Sequence, residues 1–266
     1  MSKIVSASSA KRRTKSSVLY DRKFILDDST AFSIKEQYKT LRTNVMFSIP
    51  NKNCKVVGIS SAQPMEGKSI NCLNLAIAFA QTNARVLLVD CDLRLPKQSS
   101  LVALNAVPGI SNVLVGMNKV EEAIQKTGFF GLDVLLSGEI PPNPSELLGS
   151  ESMGSLIKLL KEQYDYIFID LPPINIVADA TIVSKLIDGL ILVVRAEVSK
   201  REGVQHAVNQ LELAEASIIG IILNGVKSKS GAGGKYHKYE KYGKYGEKYE
   251  YGRNRYEYAG NKAEVK

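Results

Sequence analysis

The sequence has few of the residues from which metal centres, disulfides and membrane spans are built. Only two of its 266 residues are histidine, too few for a histidine-based metal cluster, which argues against a zinc or His-triad enzyme. The three cysteines (Cys54, Cys72 and Cys91) form no CxxC pair, which predicts buried thiols in a reducing compartment. No stretch of about 18 uninterrupted apolar residues predicts a transmembrane helix. Residues 1–15 are polar and basic, unlike a secretory signal, so we expect a cytoplasmic protein.

The net charge of +8 is unevenly distributed along the chain. Residues 1–23 carry seven Lys or Arg against one Asp, and residues 227–266 carry eleven against five Glu, so each end has a net charge of +6. Residues 24–226 must therefore carry −4. Basic ends favour anionic partners such as a membrane surface or nucleic acid, although the solvation of flexible tails explains them equally well.

Short β-branched runs alternate with stretches of helical periodicity through the middle of the chain. The predicted strands are residues 55–60, 85–90, 132–136, 166–170, 189–194 and 218–223. The predicted helices are residues 33–47, 69–81, 144–162, 176–186 and 200–213. Several strands are apolar throughout, as in a sheet covered by helices on both faces, so we predict a doubly wound, mostly parallel α/β fold. We divide the chain into a flexible basic segment (1–30), an α/β domain (31–226) and a disordered tail (227–266).

The tail is defined by its lack of aliphatic residues. Residues 227–266 contain one Val and no Leu, Ile, Phe or Met, too little apolar surface to offset the entropy of ordering. Two functions fit such a segment: a flexible phosphoacceptor, or a nucleic-acid binder in which basic residues alternate with aromatic ones. Its eight tyrosines, of twelve in the chain, are Tyr236, Tyr239, Tyr242, Tyr245, Tyr249, Tyr251, Tyr256 and Tyr258.

The first strand leads into a P-loop at residues 61–69 and then into a helix, with Ala62 in place of the usual leading glycine. Backbone N–H groups of such a loop and its helix bind phosphate oxygens. Lys68 would contact the β- and γ-phosphates, and the Ser69 hydroxyl would bind Mg²⁺. The predicted nucleotide-binding residues are Ala62, Gln63, Pro64, Met65, Glu66, Gly67, Lys68, Ser69, Ile70 and, further along the chain, Arg94.

Three aspartates stand at the ends of predicted strands. Asp90 and Asp92 follow the second strand, and Asp170 ends the fourth. The carboxyl ends of parallel strands meet at one edge of a sheet, so all three could face the phosphates and their metal. Taken singly, each could also be a helix cap or a turn residue. Asn224, after the last strand, is either a contact to the nucleotide base or a turn residue.

These motifs resemble those of the bacterial tyrosine kinases. The apolar strand followed by Asp90-Cys91-Asp92-Leu93-Arg94 is similar to their second Walker motif, and Asp170-Leu171-Pro172-Pro173 is similar to their Walker B motif. Residues 111–114 and 138–148 also resemble segments of that family. The resemblance extends from about residue 34 to the tail, and it is to the stand-alone kinases of Gram-positive bacteria that control capsule or exopolysaccharide synthesis.

The resemblance implies an ATP- and Mg²⁺-dependent autokinase that phosphorylates its own tail tyrosines, in trans within an oligomer. It assigns catalytic roles to Lys68, Asp90, Asp92 and Asp170, with Asp90 or Asp92 as acceptor of the tyrosine proton. It assigns Mg²⁺ to Ser69, Asp90 and Asp170. A self-association pattern of the family falls on Glu36, Lys39 and Arg42, with Lys39 in place of its first arginine, although a solvated helix face fits these residues too.

The resemblance also implies partners. These are further copies of the chain in a ring, an opposing phosphotyrosine phosphatase, and a transmembrane activator, the polysaccharide co-polymerase subunit, which would recruit the kinase to the inner face of the membrane. Nucleic acid becomes a less favoured partner. Two alternatives stay open: a P-loop ATPase of the ParA or MinD type, although Gln63 stands where those proteins have a lysine, and a nucleotide-gated scaffold binding membrane or nucleic acid.

Overall fold

The fold is described by a computed structural model for residues 21–50 and 52–226. In chain order its α-helices and strands are α1 (Phe32–Ser48), β1 (Lys55–Ser61), α2 (Lys68–Ala80), β2 (Val86–Asp90), α3 (Gln98–Val102), α4 (Ile110–Leu114), α5 (Val120–Ala123), β3 (Ile124–Lys126), β4 (Leu132–Leu135), α6 (Pro144–Leu148), α7 (Glu151–Gln163), β5 (Tyr166–Asp170), α8 (Asp179–Val183), β6 (Gly189–Arg195), α9 (Arg201–Leu213) and β7 (Ile218–Asn224). This order confirms the predicted α/β fold.

The seven strands form one sheet in the order β3-β4-β2-β5-β1-β6-β7. Every neighbouring pair is parallel except β3 and β4, which are antiparallel. The carboxyl ends of β1, β2 and β5 therefore meet at the same edge, where the P-loop begins. Asp90 and Asp170 are direct partners in the β2–β5 ladder, so their side chains stand side by side.

The sheet is buried on both faces, which explains why its strands are apolar throughout. Along β2, Leu87 and Val89 join the core on one face, whereas Val86 and Leu88 join the core on the other. Helix α2 lies in the second of these cores with all but one of its residues buried. The Phe79 ring of α2 packs against that of Phe168, with ring centroids 5.0 Å apart. A helix fixed in this way holds its first turn, where Lys68 and Ser69 lie, rigidly against the sheet.

The folded chain begins earlier than the predicted boundary at residue 30. Ile25 and Leu26 are buried in the same core as α2, and Leu26 N–H donates to Asn74 Oδ1 at 2.9 Å. Asn74 in turn donates to the carbonyl of Phe24. Residues 24–26 therefore belong to the packed body. The sequence analysis placed them in the basic segment because so short an apolar stretch has no periodicity that predicts packing.

Two predicted helices are shorter or divided in the structure. The predicted helix at 144–162 is two helices, α6 and α7, because the chain turns at Gly149 and the Ser150 hydroxyl accepts the Met153 N–H to start α7. The predicted helix at 176–186 is confined to α8 and a following 3₁₀ turn, Ser184–Leu186. Of the helices in the described part of the chain, none has both the length and the apolar character needed to cross a membrane.

The three cysteines are free and buried, as predicted. Burial raises the pKa of Cys54 to about 11 and raises the pKa values of Cys72 and Cys91 well above their ordinary value. All three thiols therefore stay protonated and act as small apolar side chains.

Candidate active site

The phosphate loop depends on glycine at one position. Gly67 has a φ of 95°, and a Cβ on it would lie 2.2 Å from Asn224 Nδ2. That amide nitrogen donates to the carbonyl of Glu66 at 2.9 Å. Arg195 Nη1 donates to the carbonyl of Met65, also at 2.9 Å. The ends of β6 and β7 thus hold the loop, and Asn224 contacts the loop backbone.

Glu66 stabilises the loop from inside. Its side chain is buried, Oε2 accepts the N–H of Gln63 at 2.9 Å, and Oε1 accepts the Ser199 hydroxyl. Among the predicted nucleotide-binding residues, Glu66 therefore acts on the shape of the loop. Gln63, Pro64 and Met65 are exposed at its outer rim.

Lys68 joins the three predicted motifs. Its Nζ lies 2.8 Å from Asp92 Oδ2, 3.1 Å from Asp170 Oδ1 and 3.2 Å from Ser69 Oγ. All four side chains are buried. The structure therefore brings the P-loop, the aspartate pair after β2 and the aspartate ending β5 into one polar cluster, as the topology predicts.

The cluster contains more negative than positive groups. Burial, and next the Asp170 carboxylate, raises the pKa of Asp90 well above its usual range. Burial also raises the pKa of Asp170, and Lys68 offsets this only in part. Burial alone would lower the pKa of Lys68, but the Asp170 and Asp92 carboxylates raise it above its ordinary value. Ionisation of all three carboxyl groups would exceed the charge of the one ammonium, so a further cation would stabilise their ionised forms.

Asp90 and Asp92 have different surroundings. Asp90 Oδ1 accepts the N–H of Asp92 at 3.2 Å, and Oδ2 accepts those of Lys97 and Gln98 at 3.2 and 3.1 Å. Asp92 Oδ1 accepts only the N–H of Leu95, at 3.0 Å, which leaves Oδ2 for Lys68. Asp90 thus organises the loop that follows β2, whereas Asp92 faces the phosphate-binding lysine.

Comparisons with known proteins identify this arrangement. The AAA domain family matches residues 54–221. The tyrosine-protein kinase YwqD of Bacillus subtilis is 41% identical over 202 residues, which cover 76% of this chain and 85% of YwqD. The chain belongs to the bacterial tyrosine kinase family. The solved structure of the chimerical protein CapA2B2 superposes on this kinase with a TM-score of 0.70 at 35% identity, covering 73% of the kinase and 85% of that chain.

The kinase shares its fold with nucleotide-dependent ATPases of the division-site type. The septum site-determining protein MinD of Pyrococcus horikoshii, solved with Mg-ADP, has a TM-score of 0.55 at 28% identity and covers 64% of this chain and 70% of its own. This similarity confirms the predicted P-loop NTPase fold and implies nucleotide binding. The TM-score and the sequence identity are both lower for MinD than for CapA2B2, which favours the kinase family over the MinD-like alternative.

Arg94 of the kinase forms an ion pair with an aspartate of the same chain. Its Nε and Nη2 lie 2.9 and 3.2 Å from the two carboxylate oxygens of Asp179, and Nη2 also donates to Ser145 Oγ at 2.9 Å. Asp179 is fully buried at the start of α8. Arg94 therefore forms an ion pair with Asp179 in this structure, and its predicted contact with the nucleotide stays a prediction.

Gln98 and Asp179 are site residues that the sequence analysis missed. Gln98 is fully buried, and its Nε2 donates to the Ser69 carbonyl at 3.0 Å and to Asp170 Oδ2 at 2.9 Å. A glutamine eight positions after Asp90 belongs to no motif that can be recognised from a single sequence, so Gln98 was not predicted. Asp179 sits at a helix start, where an acidic residue is common in any protein.

The oxygen atoms of the cluster fit a hard cation such as Mg²⁺. Within residues 21–50 and 52–226, no three His, Cys, Asp or Glu side chains form a metal site by themselves. Mg²⁺ ordinarily takes one or two protein oxygens together with water and substrate phosphates, so a complete protein cage is not required. Ser69 Oγ and Asp170 Oδ1 lie 3.2 and 3.1 Å from Lys68 Nζ, beside the phosphate loop, and provide such a pair.

The predicted self-association stripe is partly used within the molecule. Lys39 Nζ lies 2.6 Å from Glu36 Oε1 in an exposed ion pair. Arg42 Nη1 instead donates to the carbonyl of Ala78, near the end of α2, at 2.6 Å. The predicted phosphoacceptor tyrosines all lie outside the described residues.

Proposed function

We propose that this chain is an ATP-dependent protein-tyrosine autokinase, which phosphorylates tyrosines of residues 227–266 in trans and thereby regulates capsule or exopolysaccharide synthesis and export. The observation on which this proposal depends is the contact of Lys68 with both Asp92 and Asp170. That contact unites the phosphate-binding lysine with the two carboxylates that phosphoryl transfer requires. Membership of a tyrosine kinase family and a tail with eight tyrosines support tyrosine as the acceptor.

ATP would lie along the loop between β1 and α2. The loop N–H groups and the start of α2 present donors and a positive helix end to its phosphates. Lys68 would leave the aspartates for the β- and γ-phosphates, because phosphate oxygens offer it a comparable number of negative partners. Ser69 and Asp170 would hold Mg²⁺, with Asp90 behind them, and the ion would neutralise charge on the transferring phosphoryl group.

The transfer itself needs little more than positioning. The tyrosine Oη forms a bond to the γ-phosphorus as the bond between that phosphorus and the β–γ bridging oxygen breaks, and ADP leaves with the bridging oxygen. The phenolic proton goes to a carboxylate, either Asp90 or Asp92. Asp92 Oδ2 becomes available when Lys68 moves to the phosphates, while both oxygens of Asp90 already accept backbone N–H groups.

Phosphorylation in trans is supported by the charges of the chain. A tail of net charge +6 is complementary to a body of net charge −4 in a neighbouring copy. Each phosphate adds about −1.5 to −2 charges, so several would reverse the sign of the tail. Tail phosphorylation would then weaken the contact between neighbours and act as an assembly switch.

Self-association would involve the surface around α1. Phe47 is 80% exposed, and Ile34 and Met46 on the same helix are 43% exposed, next to the Glu36–Lys39 pair. Exposed apolar residues of this kind favour a protein partner. We assign the surface to a ring-like homo-oligomer. The similarity to CapA2B2, whose name joins a CapA part to a CapB part, supports a second protein, a membrane activator, as a further partner. A phosphotyrosine phosphatase would reverse the modification.

The test is tail phosphorylation by purified protein with ATP and Mg²⁺, mapped by mass spectrometry, with and without the cytoplasmic segment of a membrane activator. Two variants are mixed: one lacking residues 227–266 and one carrying Lys68→Met with its tail intact. Phosphotyrosine on the Lys68→Met chain demonstrates transfer in trans. The absence of phosphotyrosine from the wild-type tail, even with the activator segment, would refute the proposal.

A further inference from the structure

Gln98 lies outside the three nucleotide motifs and contacts all of them. Its backbone N–H donates to Asp90 Oδ2, and its side-chain Nε2 donates to Asp170 Oδ2 and to the carbonyl of Ser69. These partners belong to the strand ends of β2 and β5 and to the first turn of α2. A change at Gln98 therefore reaches every part of the cluster.

The orientation of the Gln98 amide is fixed by its neighbours. Ser69 O and Asp170 Oδ2 are both acceptors, so the NH₂ group must face them, and rotating the amide would place oxygen against oxygen at 2.9–3.0 Å. Gln98 Oε1 consequently points the other way. It is fully buried and has no hydrogen-bond partner among the described residues.

A buried amide oxygen without a donor is uncommon in folded proteins and indicates a missing partner. Gln98 contacts a cluster in which three carboxyl groups surround the single ammonium of Lys68. A water molecule bound to a divalent cation satisfies both, because it is a strong donor and its ion supplies the missing positive charge.

We propose that Gln98 is a positioning residue for the cation: Nε2 orients the Asp170 carboxylate, and Oε1 accepts a hydrogen bond from a water molecule held by Mg²⁺. The inference depends on the proposed Mg²⁺–nucleotide site. It extends that site by a residue outside the three motifs, which acts through Asp170 and water and not on the phosphates directly.

The experiment measures the affinity for a fluorescent ADP analogue with excess Mg²⁺ and with EDTA, for wild type, Gln98→Met and Gln98→Asn. Gln98→Met has a similar volume and no hydrogen-bonding oxygen, whereas Gln98→Asn keeps the amide on a side chain that is one methylene too short to reach the partners of Gln98. Gln125→Met is the control, because Gln125 lies outside the cluster and its amide donates only to the Asn105 carbonyl. Thermal unfolding of each nucleotide-free variant verifies its fold.

We expect Gln98→Met to lose about tenfold of the affinity gained with Mg²⁺ and to match wild type in EDTA. Gln98→Asn should also lose most of the Mg²⁺-dependent gain, and Gln125→Met should be unchanged. Equal losses with and without Mg²⁺, or an undiminished gain in Gln98→Met, would overturn the inference. If Gln98→Met does not fold, Gln98→Asn replaces it, and an undiminished gain in that variant overturns the inference. If the affinity of the wild type for the ADP analogue is the same with Mg²⁺ and with EDTA, the result contradicts the proposed cation site instead.

Discussion

Lys68 Nζ lies 2.8 Å from Asp92 Oδ2, although the two residues belong to different motifs on either side of β2. This contact places the lysine ammonium against the carboxylates, where it partly neutralises them. Under the proposed function the same side chain contributes to the stability of the nucleotide-free fold and to phosphate binding, and the two contributions can be separated by experiment.

Replacing Lys68 by methionine should abolish tail phosphorylation and also destabilise the protein. The change leaves Asp92 and Asp170 buried without their cation. We expect this to lower the free energy of unfolding by about 3 kcal/mol. Urea denaturation and phosphotyrosine mapping measure the two effects. Lys39→Met is the matched control: its exposed ion pair with Glu36 contributes less than about 0.5 kcal/mol, so stability should hardly change. A Lys68→Met protein as stable as wild type would contradict the argument.

The stability of the nucleotide-free protein should fall as pH rises from about 5 to about 8. The pKa values of Asp90 and Asp170 are raised in the folded state, so over this range the folded protein binds more protons than the unfolded chain. Stability present at low pH is then lost, by about 1.4 kcal/mol for each pH unit over which one such carboxyl is protonated only in the folded state. Thermal unfolding across this range tests the sign, and Asp170→Asn should flatten the slope. A slope of the opposite sign would show that the carboxylates are fully neutralised.

Gly67→Ala should damage the phosphate loop. The new Cβ meets Asn224 Nδ2, and the left-handed backbone at this position is strained for alanine, so we expect a loss of about 2 kcal/mol in stability together with weaker nucleotide binding. Gly220→Ala in β7 is the control, since a Cβ there meets no atom within 4 Å. That substitution should be neutral or stabilise by about 0.5 kcal/mol. Unfolding and ADP-binding measurements on both variants provide the comparison, and equal effects would contradict it.

Two arginine–aspartate pairs should differ in strength because their aspartates differ in burial. Arg94→Met leaves the fully buried Asp179 without its cation, and we expect a loss of about 3 kcal/mol. Arg85→Met breaks a pair with Asp165, whose side chain is 38% exposed, and should destabilise the protein much less, because solvent screens an exposed pair. Chemical denaturation of the two variants decides the matter. Similar losses would show that burial of the aspartate is not what determines the difference.

The sequence predicted the strands and the cluster better than it predicted helix ends and isolated contacts. The strands around Asp90 and Asp170 are apolar throughout because both faces of the sheet are covered, and this pattern is visible in a single sequence. The edge strand β3 has only three residues and none of them is fully buried, so its sequence has no apolar pattern that would predict a strand. Gln98, Asp179 and the anchor at Leu26 act through partners distant in the chain, which local periodicity does not reveal.

The hydrogen bond from Asn224 to the Glu66 carbonyl has a consequence for the order of the phosphorylation reaction. It holds Asn224 beside the phosphate loop, three residues before the tail begins, and Tyr236 lies within a chain reach of about 40 Å of Asn224. If the tail is the substrate, as proposed, a tether of this length would keep a copy's own tyrosines at roughly millimolar effective concentration near its own loop. Intermolecular transfer would then compete with intramolecular transfer. It would prevail only where neighbouring active sites are assembled at similar density, so the rate per molecule should rise with protein concentration up to the point of full assembly and stay constant beyond it.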